Sequence, residues 1–384
     1  MAHAYQFKER QFRDATAKHR YAITVDFDVT AVDPQWRELE TNGGLTFFQS
    51  QSWLLPWYRI IAPALGISPL FVTVREENSG RPMMLLPLCS RRERGITTIR
   101  FPDCHVCDYN APLLAAQFNP GEAEFAALWD EIVRALPRAD VISLEKMPEK
   151  IGDRPNPMMR LAGSRRMNTR TWGFELPKTR SAYEKLLTSG MRKRFRQARR
   201  YLEREGRVRY VRANTEAQGR EIFDVLRRQR WIRWRHQDNL SDPAFLRFHE
   251  TVIFGNWSKR LCTLSALKIG DEIAASIFGV NFRGRFYLLK HGFEVGRWRA
   301  RSPGTVAIDY AITDQIEYGS DYFDFTIGND IYKRRFGSTE SYLYLLVQGL
   351  SPIGKVFAML RRAKRMIGQE LRRLPAKLRP RGMQ

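Results

Sequence analysis

Apolar positions along this chain follow two rhythms. Short alternating or continuous apolar runs read as strands: Pro69–Val74 and Met83–Leu88, joined through the turn Asn78-Ser-Gly80, and Val141–Leu144. Three more follow in succession, Leu261–Lys268, Glu272–Val280 and Gly284–His291, with turns at Gly270-Asp271 and Arg283-Gly284. Helical spacing marks Phe47, Phe48, Trp53, Trp57 and Tyr58, and again the stretch from Gly121 to Leu136. The capping box Ser181-Ala-Tyr-Glu184 opens a helix that carries Tyr183, Leu186, Leu187, Met191, Phe195, Ala198 and Leu202 and stops at Gly206. A second box, Thr215-Glu-Ala-Gln218, opens a helix to about Trp234, and Asp242-Pro243 opens a third. Beyond the strands comes a helix Thr305–Tyr318, ended by Gly319, then a short strand Asp321–Thr326 and a last one Tyr342–Val347. Three prolines and two glycines make 148–170 read as an exposed connection.

At 384 residues the chain is long enough for two cores. The expected division is a flexible basic arm over 1–20, a first domain over 21–165, a second over 166–350 and a basic amphipathic tail over 351–384. No repeat of fixed period is visible, although the two halves could share a fold. No uncharged run of about 18 apolar residues occurs; Trp53 to Val74 comes nearest and is broken by Pro56, Arg59, Pro63 and Pro69. The N-terminus lacks the apolar core of a secretory signal, and four cysteines are too few for a disulfide scaffold, so a cytoplasmic location is expected.

Charge changes the picture. The net charge is +23, and two zones hold most of it: Arg192–Arg235 has 16 Lys/Arg against five acids, and Ser351–Gln384 has ten against Glu370. Such zones point to anionic partners. In the tail, Val356, Phe357, Leu360, Ala363 and Ile367 recur at helical spacing among basic residues. Residues 354–381 are therefore expected to contact an anionic membrane peripherally at its inner face, or else to dock on the domain.

Arg299, Arg301, Ser302, Pro303 and Gly304 precede the helix at Thr305. Free backbone amides, a positive helix end and two guanidinium groups meet there, which suits a phosphate. Cys104-His-Val-Cys107 has no second ligand pair at zinc spacing, so no metal is expected. Nucleophile-elbow and Walker motifs are absent.

The order of strands, basic loop, helix and strand resembles the GNAT (Gcn5-related) acyltransferase superfamily. More narrowly, Tyr287…His291, Ser302-Pro-Gly304, Phe323-Asp324-Phe325…Gly328…Tyr332-Lys333…Phe336-Gly337, the basic stretch Ser189–Arg199 and Asp108-Tyr109…Pro112-Leu113 resemble the CelD-type acetyltransferases of exopolysaccharide synthesis, a group related to the Fem aminoacyl transferases. The similarity covers roughly 45–348. It departs from the family's Gln/Arg-x-x-Gly-x-Gly/Ala signature, of which only Arg299 or Arg301 and Gly304 stand.

The resemblance implies an α/β protein of tandem GNAT-like domains, each a mixed, mostly antiparallel sheet flanked by helices. It implies acetyl transfer from acetyl-CoA to an amine or hydroxyl of a sugar or polysaccharide precursor by direct attack on the thioester. Arg299, Arg301, Ser302, Gly304 and Thr305 would hold the pyrophosphate. His291, with Glu272 as a second candidate, would be the base and Tyr332 the acid. Asp324 would bind the incoming amine or orient the base, and Asp108, Tyr109 and Lys333 would contact substrate. Two alternatives stay open: a Fem-like transferase using aminoacyl-tRNA, and a non-catalytic binding or scaffold protein on the same fold.

Overall fold

The computed structural model describes residues 20–328 and 331–373, the last helix with its side chains to Arg362. The arm expected at 1–20, apart from Arg20, and the final residues 374–384 lie outside them.

The first half runs β1 (Tyr21–Asp26), α1 (Asp33–Asn42), α2 (Gln51–Pro56), a wide π turn (Trp57–Ile61), α3 (Ala62–Ala64), β2 (Ser68–Glu76), β3 (Pro82–Glu93), β4 (Ile96–Arg100), the short β5 (Leu113–Leu114), α4 (Glu122–Ala135) and β6 (Val141–Pro148). A small hairpin, β7 (Lys150–Ile151) and β8 (Arg154–Pro155), leads to β9 (Arg165–Glu175) and α5 (Arg180–Leu186). The second half runs α6 (Ser189–Glu205), β10 (Val208–Arg212), α7 (Glu216–Trp234), α8 (Pro243–Phe254), β11 (Cys262–Ile269), β12 (Glu272–Phe282), β13 (Arg285–Phe293), α9 (Pro303–Tyr318), β14 (Tyr322–Ile327), β15 (Thr339–Gly349) and α10 (Pro352–Arg373).

Laid side by side, the halves repeat one order: a strand, helices, three antiparallel strands, a crossover helix and a parallel strand. β4 runs parallel to β6 through three residue pairs, Thr98–Arg100 with Val141–Ser143. β13 runs parallel to β14 through three, Arg285–Tyr287 with Tyr322–Asp324. The duplication is in topology, which explains why no fixed period shows in the sequence.

The two sheets merge into one, ordered β1-β2-β3-β4-β6-β15-β9-β14-β13-β12-β11-β10. The join is an exchange. β9 follows the first half in the chain but pairs with β14 of the second. β15 follows the second half but pairs with β6 of the first. The two exchanged strands also pair with each other, Thr339–Leu345 against Gly173–Arg165. Side chains close the same join: Trp53 meets Phe248 edge-on with centroids 5.0 Å apart, and Phe48 meets Tyr287 at 5.8 Å.

Two expectations are corrected. The stretch 148–170 is no plain connection, because its end, from Arg165, enters the central strand β9. Arg165, Arg166, Thr169 and Arg170 hid the strand: the three arginines are exposed, and pairing with β15 rather than an apolar face holds this part. The helix read from Ser181 to Gly206 is two. Thr179 caps α5 through Ala182 N, Leu187 leaves helical geometry with its side chain buried, and the Thr188 hydroxyl accepts from Met191 N to start α6. The caps at Thr215 and Asp242 stand as read.

A chain cut between Pro177 and Lys178 tests the exchange. Each fragment, made alone, leaves a long strand edge unpaired and is expected to aggregate. Made together they are expected to co-purify as one folded particle; soluble, folded single fragments would contradict the exchange.

Candidate active site

β13 and β14 are paired only as far as Tyr287 and Asp324 and then part. At the parting, β13 bulges: Leu288 faces Gly279 and Lys290 faces Phe278, so Leu289 has no ladder partner on β12. β14 is irregular there too, with Thr326 at φ 57°. The result is a wedge between the two strands, deep in the protein.

The first half supplies the wedge's contents. Its loop between β4 and β5 is pinned by Lys146, whose Nζ donates to Asp103 at 2.9 Å and to the Cys107 carbonyl at 2.8 Å. Asn110 adds bonds from its amide to the Lys146 carbonyl (2.9 Å) and from its side chain to the Glu145 carbonyl (3.0 Å). So held, the loop brings Tyr109 to Asp324, with the phenol 2.9 and 3.0 Å from the two carboxylate oxygens. Arg285 donates to the same carboxylate at 3.1 Å and the Thr326 amide at 2.7 Å. Burial pushes the Asp324 carboxyl up, against the downward pull of these three donors. Strand alternation puts Phe323 and Phe325 on the other face, packed in the core under α9.

Beside this clasp is a cavity of about 60 Å³, lined by Trp53, His105, Val106, Asp108, His249, Leu289 and Lys290. It has room for a few waters or the reacting end of a small group. Burial raises the Asp108 carboxyl to about 6, although Lys146, a Thr326 hydrogen bond, Lys333 and Lys290 pull it down. Burial and Arg230 lower the Lys290 ammonium to about 8, against Asp238 and Asp108. Lys290 Nζ donates to Asn239 Oδ1 at 2.8 Å. His249 Nδ1 lies 2.7 Å from the Phe245 carbonyl. A carbonyl only accepts, so Nδ1 carries the proton and Nε2 is left as an acceptor. Burial keeps this ring neutral, with its pKa well below the ordinary value. A carboxylate and an ammonium whose pKa values are driven toward neutrality from opposite sides therefore share one small chamber. That suits proton transfer near pH 7.

The other residues singled out in the sequence are placed as follows. Lys333 is buried, and its ammonium caps the carbonyls of Phe325 and Ile327 at 3.0 Å each, closing the open end of β14. His291 is on β13 one residue past Lys290; burial, Arg230, Arg233 and Lys333 lower it to about 3, which makes it a weak base. Tyr332 packs edge-on against Phe336 in the second core. Glu272 is at the first residue of β12, exposed, and pairs at 3.7 Å with Arg297; it does not reach the wedge. Of the predicted set, the structure gathers Asp108, Tyr109, Asp324 and Lys333 around the wedge.

At the loop before α9, Ser302 adopts a left-handed conformation (φ 52°, ψ 52°) and its carbonyl takes the amides of Thr305 and Val306. The Gly304 amide has no backbone partner among the described residues. Gly304 is needed for space: a Cβ there would come within 2.7 Å of the Phe293 ring. Arg299 is exposed, and Arg301 lies 3.4 Å over the Tyr201 ring of α6. Glu294 already takes the amides of Gly296 (2.5 Å) and Trp298 (3.2 Å), and Gly304 is buried, so of the expected phosphate ligands Arg299 alone is exposed and without a stacking partner.

Lys290, His249, Arg230 and Asp238 were not singled out from the sequence. Simple alternation does not show where Lys290 points once the bulge at Leu289 shifts the parity of β13. His249 was visible as a lone polar residue among Phe245, Phe248, Val252 and Ile253.

Residues 189–334 match the family model described as an acetyltransferase (GNAT) domain. That stretch, from α6 to just past β14, is similar to GNAT acetyltransferase domains. The chain is thus an acyltransferase, in a mixed α/β fold of tandem GNAT-like halves. No curated protein matches the sequence. Among solved structures, FemX is similar with a TM-score of 0.59 and 10% identity over 85% of this chain and 98% of that one. A conserved protein of unknown function from Bacteroides thetaiotaomicron gives 0.50 and 11% over 84% of this chain and 99% of that one. At such identities the likeness is one of fold.

Two stability measurements test the site. Tyr109→Phe removes a donor from a buried carboxylate and is expected to cost about 1–3 kcal/mol in urea unfolding with an unchanged slope; no loss would mean the clasp carries nothing. His291 binds its proton in the unfolded chain near pH 6.5 but only near 3 when folded. Its contribution is present above about pH 6.5 and is lost as pH falls, so wild type should lose about 1.4 kcal/mol per pH unit relative to His291→Gln in that window. Parallel urea titrations at pH 7 and pH 5 read the difference.

Proposed function

We propose that this protein transfers an acetyl group from acetyl-CoA to an amine or hydroxyl of a sugar or polysaccharide precursor, in the manner of the CelD-type enzymes it resembles, and does so in the cytoplasm. The observation that carries the reading is the pairing of Asp108 and Lys290 in one chamber at the mouth of the β13–β14 wedge. The exposed Arg299 and Arg301 fit the diphosphate of the donor. The donor supplies an activated acyl carbon; the chain's own residues do the rest.

For an amine acceptor, Asp108 takes the proton from nitrogen as it attacks the carbonyl carbon. The backbone of Leu289, freed by the bulge, and the Lys290 ammonium face the charge that develops on oxygen. Lys290 then holds the proton that the leaving thiolate needs. Tyr109 and Arg285 act as positioning residues, since they fix Asp324 and with it the loop that carries Asp108. His291 is neutral near neutral pH and too weakly basic to compete with Asp108 for the proton.

The runner-up is a Fem-like transferase with an aminoacyl-tRNA donor. What favours it is the exposed basic face of α6, where Lys193, Arg194, Arg196, Arg200 and Arg204 stand beside the same loop, together with the FemX-like fold. A thermal-shift titration separates the readings. Acetyl-CoA at 100-fold over its dissociation constant stabilises by about 2.7 kcal/mol under the first, and Arg299→Glu weakens that binding by about tenfold. A salt-sensitive shift with tRNA and none with acetyl-CoA favours the second, and no shift with either favours a non-catalytic protein.

The pH profile of kcat/KM is expected to be bell-shaped. It should rise as the Asp108 carboxyl loses its proton near 6 and fall as Lys290 loses its own near 8, both limbs being properties of the coupled pair. Asp108→Asn should remove the acid limb and Lys290→Met the alkaline one, each with a loss of about 10²–10⁴ in rate. A profile unchanged in shape in either variant removes that residue from the proton transfer.

A further inference from the structure

We propose that the outward face of α10 is a docking surface for an anionic phospholipid membrane. One face of this helix is already used. Gly354 is pressed onto the Asp140 backbone, where a Cβ would lie 1.8 Å from the carbonyl oxygen. Ala358 and Phe357 pack with Val141, Leu345 and Val347 of β6 and β15. Arg361 donates to Ser143 at 2.6 Å and pairs with Glu145. These positions, 354, 357, 358 and 361, are one helical stripe.

The opposite face of a docked surface helix is ordinarily polar. Here it carries Ile353, Val356, Met359 and Leu360, which are 56, 56, 67 and 64% exposed. Nine large apolar side chains stand exposed among the described residues, and four of them fall within these eight positions. Lys355 and Arg362 are exposed on the same helix. The sequence from Ser351 onward holds ten Lys/Arg and one acid. An apolar stripe asks for a medium of low dielectric, and the cations around it ask for anions at its border. A leaflet with acidic headgroups offers both in one plane. Among the described residues no helix is long and apolar enough to cross a membrane, so α10 lies on the surface. On this proposal the helix docks with one face and meets lipid with the other. The remainder of the expected contact, 374–381, lies outside the described residues.

Flotation of the full chain with phosphatidylcholine vesicles, with and without phosphatidylglycerol, tests this. Binding is expected only to the anionic vesicles and should weaken with salt. Met359→Glu with Leu360→Glu is expected to weaken it by about tenfold or more while leaving the melting temperature unchanged, since both side chains are already in water. Absence of binding at low salt, or equal binding by the variant, overturns the proposal. So does a dimer seen by sedimentation that the same variant dissociates, because the face would then be covered by a second copy.

Discussion

The exchange of β9 and β15 is the constraint on which the rest depends. Each half's sheet is completed by a strand that follows the other half in the chain, so the sheet is continuous and neither core closes alone. A hinge between two independent domains would let the Asp108 loop drift from β13. The exchange fixes β6, which pins that loop through Lys146, and β14, which bounds the wedge, to two strands paired with each other. A site assembled from both halves can then hold the sub-ångström placement that proton transfer needs.

Charge inside the join is balanced locally. Asp103 faces Lys146, Asp238 faces Arg230, Asp324 faces Arg285 and Asp309 faces Arg199. These pairs satisfy their own burial and leave little freedom to titrate. Asp108 and Lys290 differ: Lys290 reaches Asp238 only at 4.0 Å, burial is the largest influence on both, and their proton affinities move toward neutrality. The proposed proton transfer uses the two groups whose pairing is loosest.

Much of this was legible in the sequence. The caps at Thr215 and Asp242, the three successive strands β11 to β13 and the helix α9 depend on nearest neighbours, and local pattern located them. The Asp108-Tyr109 motif and Asp324 were also visible, although their direct contact across 215 positions was not. β9 escaped because its polar half is stabilised by backbone pairing to the distant β15 rather than by an apolar face. Lys290 escaped because one extra residue in β13 turns it, and a bulge leaves no mark in composition. His291 looked like the natural base; burial, and after it the crowd of Arg230, Arg233 and Lys333, reduces its basicity, and neither shows in the sequence.

The first half has the same parting of strands, between β4 and β6, with Lys146 at φ 59° where the second half has Thr326 at φ 57°. Asp103, Cys107 and Asn110 are bonded across the parting by Lys146 and Glu145. One copy of the opening has become a socket that grips a finger of its own chain, and the finger reaches into the other copy. Changes at the socket would therefore be felt as a displaced Asp108 in a chamber they never touch.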